Sequence, residues 1–337
     1  MRVKPGITDV AAAAGVSIST VSVVLNDVAG ARVNAETRER IQQVARRLGY
    51  VPNGLARGLR RQHSGVIGFL GDEVATTPYA VDMILGAQDT LRDAGALMIL
   101  MNTGGDPAVE AQEIATLRQQ QVDGILYAAM YHRVIRLPEP LRDVPTVVLD
   151  AEVDDPAVAW IVPDEVAGAR DAVGELLRHG HRQIGFVTNE DQIPATRLRL
   201  RGYRAALRAA GLPADPNLVV AAPPTAAGGH RAARSLLGRA DRPTAVFCFR
   251  DLMAMGVYHA AAELGMRVPE DLSIVGYDDM RHIAESLFPG LTTVALPHYE
   301  MGAWAAKRLL DRTSPPEHRR LRGRLVRRGS VTTAPGG

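Results

Sequence analysis

The spacing of apolar residues changes character along the chain. Over residues 7–26 they recur at helical intervals, at Val10, Ala14, Val16, Val21 and Val24, which predicts the inner faces of two short helices. Ala11 is small where two such helices would cross, Gly15 tolerates positive φ where a turn would fall, and Ser17 stands where an N-cap would open the second helix. A third run over 35–48, opened by Asn34, brings Ile41, Val44, Ala45 and Leu48 to the same small core. Beyond residue 64 the pattern becomes short apolar runs, at 65–70, 97–101, 124–128, 146–149, 183–187, 245–249 and 273–276, separated by amphipathic stretches such as 80–94 and 196–210. Such alternation predicts parallel sheets with helices on both faces.

A chain of 337 residues is long enough for two or three compact units. It has no apolar run long enough to span a bilayer, and its first residues lack an apolar signal core with a cleavage site. The expectation is a soluble, cytoplasmic protein with no membrane partner. Cys248 is the single cysteine and lies in an apolar run, so it reads as a buried structural thiol rather than a nucleophile. Residues 1–64 hold ten Lys or Arg against four acids, although the whole chain carries only +2. The positive charge is therefore gathered at one end, as a phosphate-binding end would require.

The spacing over 7–26 fits a helix-turn-helix, whose second helix lies in the major groove with its N-terminal side chains at the base edges. Ser17, Ile18, Ser19, Ser22 and Val23 are expected on its exposed face. Hydroxyls can read several bases, whereas Ile18 and Val23 offer only apolar contact, for instance to a thymine methyl. Packing against a neighbouring helix is the alternative for those two.

The string ITDVAAAAGVSISTVSVVLND, followed by ETRERI and LGYVPNGLARGL, resembles the LacI/GalR family of sugar-responsive repressors. The similarity continues through VDGIL, LRHGHRQIGFV, RLRLRGYRAAL, VPEDLSIVGYDD and LTTVALP, and so covers nearly the whole chain. The resemblance implies an all-α helix-turn-helix DNA-binding domain joined to an α/β two-lobed, periplasmic-binding-protein-like effector domain. The expected division is a headpiece over 1–51, a hinge over 52–63, and an effector-binding and dimerisation domain over 64–337. Within the last, the first lobe would take about 64–162 and 296–318 and the second about 163–292 and 320–335, with three crossings between them.

In the family the hinge becomes a short helix on DNA and its leucine wedges into the minor groove. The matching residue is Leu59, with Asn53, Ala56 and Arg57 beside it; Gly54 and Gly58 give the segment poor intrinsic helicity. A plain linker with Leu59 docked on the second domain is the other reading. Val23 departs from the family, which often has an arginine there, and Arg32 could supply a backbone contact in its place.

The resemblance further implies a cleft ligand touched by residues matching Asp150, Arg199, Arg250 and Asp278, with Asp72 and Tyr79 on the wall of the other lobe. The charged positions suit it, because open α/β sheets bind ligands beyond the carboxyl ends of their strands, and carboxylates and guanidinium forks can each engage two hydroxyls. Structural ion pairing between lobes is the rival role for Arg199 and Asp278. The family's stacking aromatic has no match near Pro223 and Pro224, and His298 stands where an aromatic is common. The expected effector is a carbohydrate, the expected partners are double-stranded operator DNA and a second copy of the chain, and no cofactor or metal is implied. The chain ends without a heptad segment of the kind that builds tetramers, so a homodimer is expected.

Two other classes compete. An enzyme on the same fold would need chemistry for which no G-x-S-x-G, phosphate loop or His/Cys metal cluster is present; His179 and His181 flank Gly180 in what reads as a polar turn. An exported sugar receptor would share the lobes but not residues 1–60. The basic stretch 319–328 reads as a solvated loop before a last strand, with a second nucleic-acid patch as its alternative.

Overall fold

The computed structural model describes residues 5–26, 32–50, 63–78, 80–311 and 313–335. The chain divides into two compact units, Met1–Gly65 and Val66–Gly337.

In the first unit, α1 (Ile7–Ala14) and α2 (Ile18–Leu25) turn through 105°, within the range of helix-turn-helix motifs. Gly15 closes α1 at φ +65, a left-handed conformation that costs any side-chain-bearing residue roughly 1–2 kcal/mol. The Ser17 hydroxyl accepts from the Thr20 amide at 3.1 Å and starts α2, while Asn34 Oδ1 accepts from Thr37 N at 2.7 Å and starts α3 (Ala35–Leu48). Val10, Ala11, Ala14, Val21, Val24, Ile41, Val44 and Ala45 form the core, with Val16 and Leu48 half-buried at its margin. Ser22, expected on the exposed face, is instead 5% exposed, because it lies one residue after Val21 and one turn before Asn26, whose Nδ2 donates to its carbonyl at 2.7 Å.

The second unit carries two six-stranded sheets. The first is built from β1 (Val66–Gly71), β2 (Leu97–Asn102), β3 (Gly124–Ile135), β4 (Thr146–Val153), β5 (Ala159–Pro163) and β11 (His318–Leu321), in the order β11-β5-β4-β3-β1-β2. The second is built from β6 (Ile184–Asn189), β7 (Val219–Ala222), β8 (Ala245–Cys248), β9 (Ser273–Asp278), β10 (Thr292–Ala295) and β12 (Arg324–Val326), in the order β12-β10-β9-β8-β6-β7. All ladders are parallel except that of β10 with β12. Helices α4 (Val81–Asp93), α5 (Pro107–Gln119) and α11 (His298–Leu310) cover the first sheet, and α6 (Glu165–Arg178), α7 (Pro194–Ala209), α8 (Ala226–Leu237) and α9 (Asp251–Glu263) the second, with the short α10 (Arg281–Ala284) following β9.

The chain passes between the lobes three times, after β5, after β10 and after β11. Because β11 runs to Leu321, the first sheet keeps the chain about three residues longer than the boundary near 318 assigned from sequence. The stretch 319–328 is also not a loop. Its residues contribute to two edge strands, and four of its six guanidinium groups pair with acids within the unit: Arg320 with Glu152 at 2.9 Å, Arg322 with Asp171 at 2.8 Å, Arg327 with Glu175 at 2.8 Å and Arg328 with Asp279 at 2.8 Å. Cys248 is fully buried, and burial pushes its thiol up. No helix among the described residues is long and apolar enough by itself to cross a membrane.

Candidate effector site and DNA reader

Both sheets reverse strand order once, between β1 and β3 and between β6 and β8, and such switch points leave a crevice at the carboxyl ends of the strands. A cavity of about 520 Å³ opens there, within the usual range of small-molecule sites. The first lobe contributes Met130, Tyr131 and His132 from the far end of β3 and Asp150 from β4; the second contributes Asn189 at the end of β6 and Asp191 after it, Phe249 and Arg250 after β8, and Asp278 at the end of β9. Glu165 and Arg199 enter from α6 and α7, and Pro163 and Leu296 mark two of the crossings.

Arg199 is the hub of the second wall. Its Nε and Nη2 donate to the two oxygens of Glu165 at 2.8 and 3.2 Å, and its Nη1 donates to the Phe249 carbonyl and, at 3.5 Å, to Asp278 Oδ1. The guanidinium lies 3.7 Å from the Tyr277 ring centroid and 4.4 Å from that of Phe249, so its faces are covered as well. Gly168 permits this stack: a Cβ there would lie 2.1 Å from the Tyr277 hydroxyl oxygen. Arg250 Nε stands 3.6 Å from Asp278 Oδ2, so Asp278 sits between two cations. Arg199 and Asp278 therefore pair inside one lobe, not across the cleft.

Burial dominates the acids. It works to raise the Glu165 carboxyl, but the bidentate Arg199 overcomes it and holds Glu165 below the ordinary range. Asp278 is pushed up to about 6 by burial, which Arg199 and Arg250 only partly offset. Asp150 is raised well above its usual value, by burial and then by the charge of Glu165. Asp150 also has φ +54, and its Oδ1 has no hydrogen-bond partner. A buried, unpaired polar atom and a sparsely populated backbone conformation both cost free energy and persist only where the surrounding structure imposes them.

Of the seven residues assigned to the effector from sequence, Asp150, Arg199, Arg250 and Asp278 line the cavity. His298, the first residue of α11, is buried behind Asp150, its Nε2 3.9 Å from Asp150 Oδ2, and does not line the cavity. Asp72 is ion-paired with Arg133 and is not a lining residue either. Tyr79 lies outside the described residues. Glu165 and His132 were missed: Glu165 opens α6 after β5, which the apolar pattern did not mark, and His132 lies in the part of β3 beyond Ala128, where that pattern ended the strand. No group of three or more His, Cys, Asp or Glu among the described residues could hold a metal ion. His181 is enclosed between Thr244 and the Thr332 carbonyl, at 2.9 and 3.0 Å.

In the DNA reader, Ser17, Ile18 and Ser19 are exposed at the start of α2, with Ile18 47% exposed, and Val23 is half-buried. Arg32 is exposed ahead of α3. Asn53, Ala56, Arg57 and Leu59 lie outside the described residues.

Residues 6–53 match the model for bacterial regulatory proteins of the lacI family, and residues 173–331 match that for a periplasmic binding protein-like domain. The ribose operon repressor of Haemophilus influenzae is 35% identical over 91% of this chain and 92% of its own length. Among solved structures, the CelR–cellobiose complex of a transcriptional regulator is 32% identical with a TM-score of 0.67, over 97% of this chain and 99% of that one. The lac repressor dimer bound to operator and the anti-inducer ONPF is 26% identical with a TM-score of 0.81, over 98% of this chain and all of that one. Reader, two-lobed unit and these full-length similarities lead to one conclusion: the chain belongs to the LacI family, as a DNA-binding transcriptional regulator and not an enzyme.

Proposed function

We propose that this regulator is a cytoplasmic homodimeric repressor whose operator affinity is set by a neutral, hydroxyl-rich small molecule, a carbohydrate, bound in the cavity between the lobes. The charge balance of the lining carries this reading: Asp150, Glu165, Asp191 and Asp278 face only Arg199 and Arg250, and both cations are already engaged by acids. A phosphorylated ligand would meet excess negative charge in a desolvated site, whereas hydroxyls suit carboxylates and guanidinium forks. The cellobiose complex of one relative and the ribose operon of another support the class.

Ser17, Ile18 and Ser19 are the proposed base-edge contacts. Leu59, with Asn53, Ala56 and Arg57, is the proposed minor-groove element, and Arg32 a backbone contact. A dimer would read two half-sites about one helical turn apart, and the lac repressor dimer bound to operator supports a dimer on DNA. Thermal melting of the full chain with D-ribose, D-glucose, D-galactose, cellobiose, their phosphates and free nucleobases tests the ligand class. Stabilisation by at least one neutral sugar is expected; stabilisation by phosphates or nucleobases alone would overturn it.

A further inference from the structure

We propose that His132 is a specificity-determining contact for the effector, its Nδ1 accepting a hydrogen bond from one ligand hydroxyl while Glu152 and Arg320 hold the ring in place. The assignment rests on the hydroxyl-rich ligand argued above and names the group on the first lobe that reads it.

The register of β3 against β4 shifts between Ala128 and Arg133. Irregularities of this kind re-aim side chains beside functional sites, and this one delivers Met130, Tyr131 and His132 to the cavity. The His132 side chain is 1% exposed. Its Nε2 stands 3.0 Å from Glu152 Oε1, and Arg320 Nη2 donates to both oxygens of Glu152 at 2.9 Å. A carboxylate facing Nε2 requires a proton there, so in the neutral ring it is Nδ1 that carries the lone pair. That Nδ1 is buried and has no hydrogen-bond partner. The only other lining residue with such an atom on the first-lobe wall, among the described residues, is Asp150, through Oδ1. The second wall is different: Arg199, Glu165 and Asp278 spend their hydrogen bonds on one another. The first lobe thus holds unsatisfied polar atoms that cost free energy until something binds them, and a site built to bond a hydroxyl rejects the analogue that lacks it.

Arg320 also ties the ring to the chain's path between the lobes. It lies on β11, one residue before Leu321, where the chain leaves the first lobe for the last time. The ring that meets the ligand is thereby braced by the strand that leads to the third crossing.

The test is isothermal titration calorimetry on the full chain with D-ribose, D-glucose, D-galactose and cellobiose, then with each monodeoxy form of the sugar that binds. One monodeoxy form should bind the wild type about tenfold more weakly than its parent. His132→Phe should bind the parent sugar about tenfold more weakly and should not distinguish it from that same monodeoxy form. A general structural role would not produce this selective loss. If His132→Phe lacks a cooperative melt, His132→Gln is read instead, since it keeps an amide for Glu152 but displaces the acceptor. Parent sugar binding within twofold of wild type in the variant, or unchanged sensitivity to every deoxy position, overturns the role of His132 and leaves the ligand class standing. Failure of every sugar to bind the wild type overturns the ligand class and this assignment with it.

Discussion

Asp278 carries the most direct consequence at the scale of single residues. Its folded pKa of about 6 lies above the ordinary carboxyl value of 3.8, so the native state holds that proton more tightly than the unfolded chain does. Stability from this group is complete below about pH 4 and is lost as pH rises through 6. The wild type should therefore gain stability relative to Asp278→Asn as pH falls from about 7 to about 5. Thermal melts of both proteins across that range check it, and a constant gap would contradict the assignment. Arg199→Ala is a different case. It strands Glu165 and Asp278 in the interior, and breaking a buried pair from one side typically costs about 3–5 kcal/mol. The variant should melt well below the wild type, so loss of ligand response in Arg199→Ala cannot by itself be read as loss of a contact. As cavity residues, Asp278 was legible in sequence because it ends a strand, and Arg199 because its motif resembles the family's. Their mutual pairing was not, since spacing along the chain does not say which carboxylate a buried guanidinium meets. Glu165 and His132 were hidden for a related reason: they depend on a strand end and a register shift that leave no mark in apolar periodicity.

Among elements, α2 and the edge strands show the two sides of the same limit. Periodicity placed the inward valines of α2, Val21 and Val24, correctly. It misplaced Ser22, because a residue adjacent to the buried stripe of a short, tightly crossed helix is drawn in with it. The proposed base contacts thus narrow to the exposed Ser17, Ile18 and Ser19, of which Ser17 is also the helix cap. Exchanging Ile18 and Ser19 for other residues should change the preferred half-site in selection from a random duplex library, while Ser22→Ala should leave the preferred sequence as it is. An unchanged motif after the first exchange would refute the docking of α2. Leu59→Ala should weaken operator binding in gel-shift titration, by removing the wedge proposed for the minor groove. The strands β11 and β12 escaped detection because they are short, lie at sheet edges and read HRRL and RLV. One open edge and a wet face remove the apolar alternation by which strands are recognised.

For the whole molecule, control of DNA binding requires the ligand to favour one lobe arrangement over another, since a ligand bound equally to both shifts nothing. Three chain crossings and a cavity lined from both lobes give it contacts that such a change would make or break. Coupling free energies of this kind are about 1–3 kcal/mol, or roughly 5- to 150-fold in affinity. The decisive measurement is a fluorescence-anisotropy titration of the full chain against its selected operator, with and without the sugar that raises its melting temperature. Operator affinity should change by roughly 5- to 150-fold in the presence of that sugar. Operator affinity that stays the same while the sugar saturates the protein would contradict that coupling.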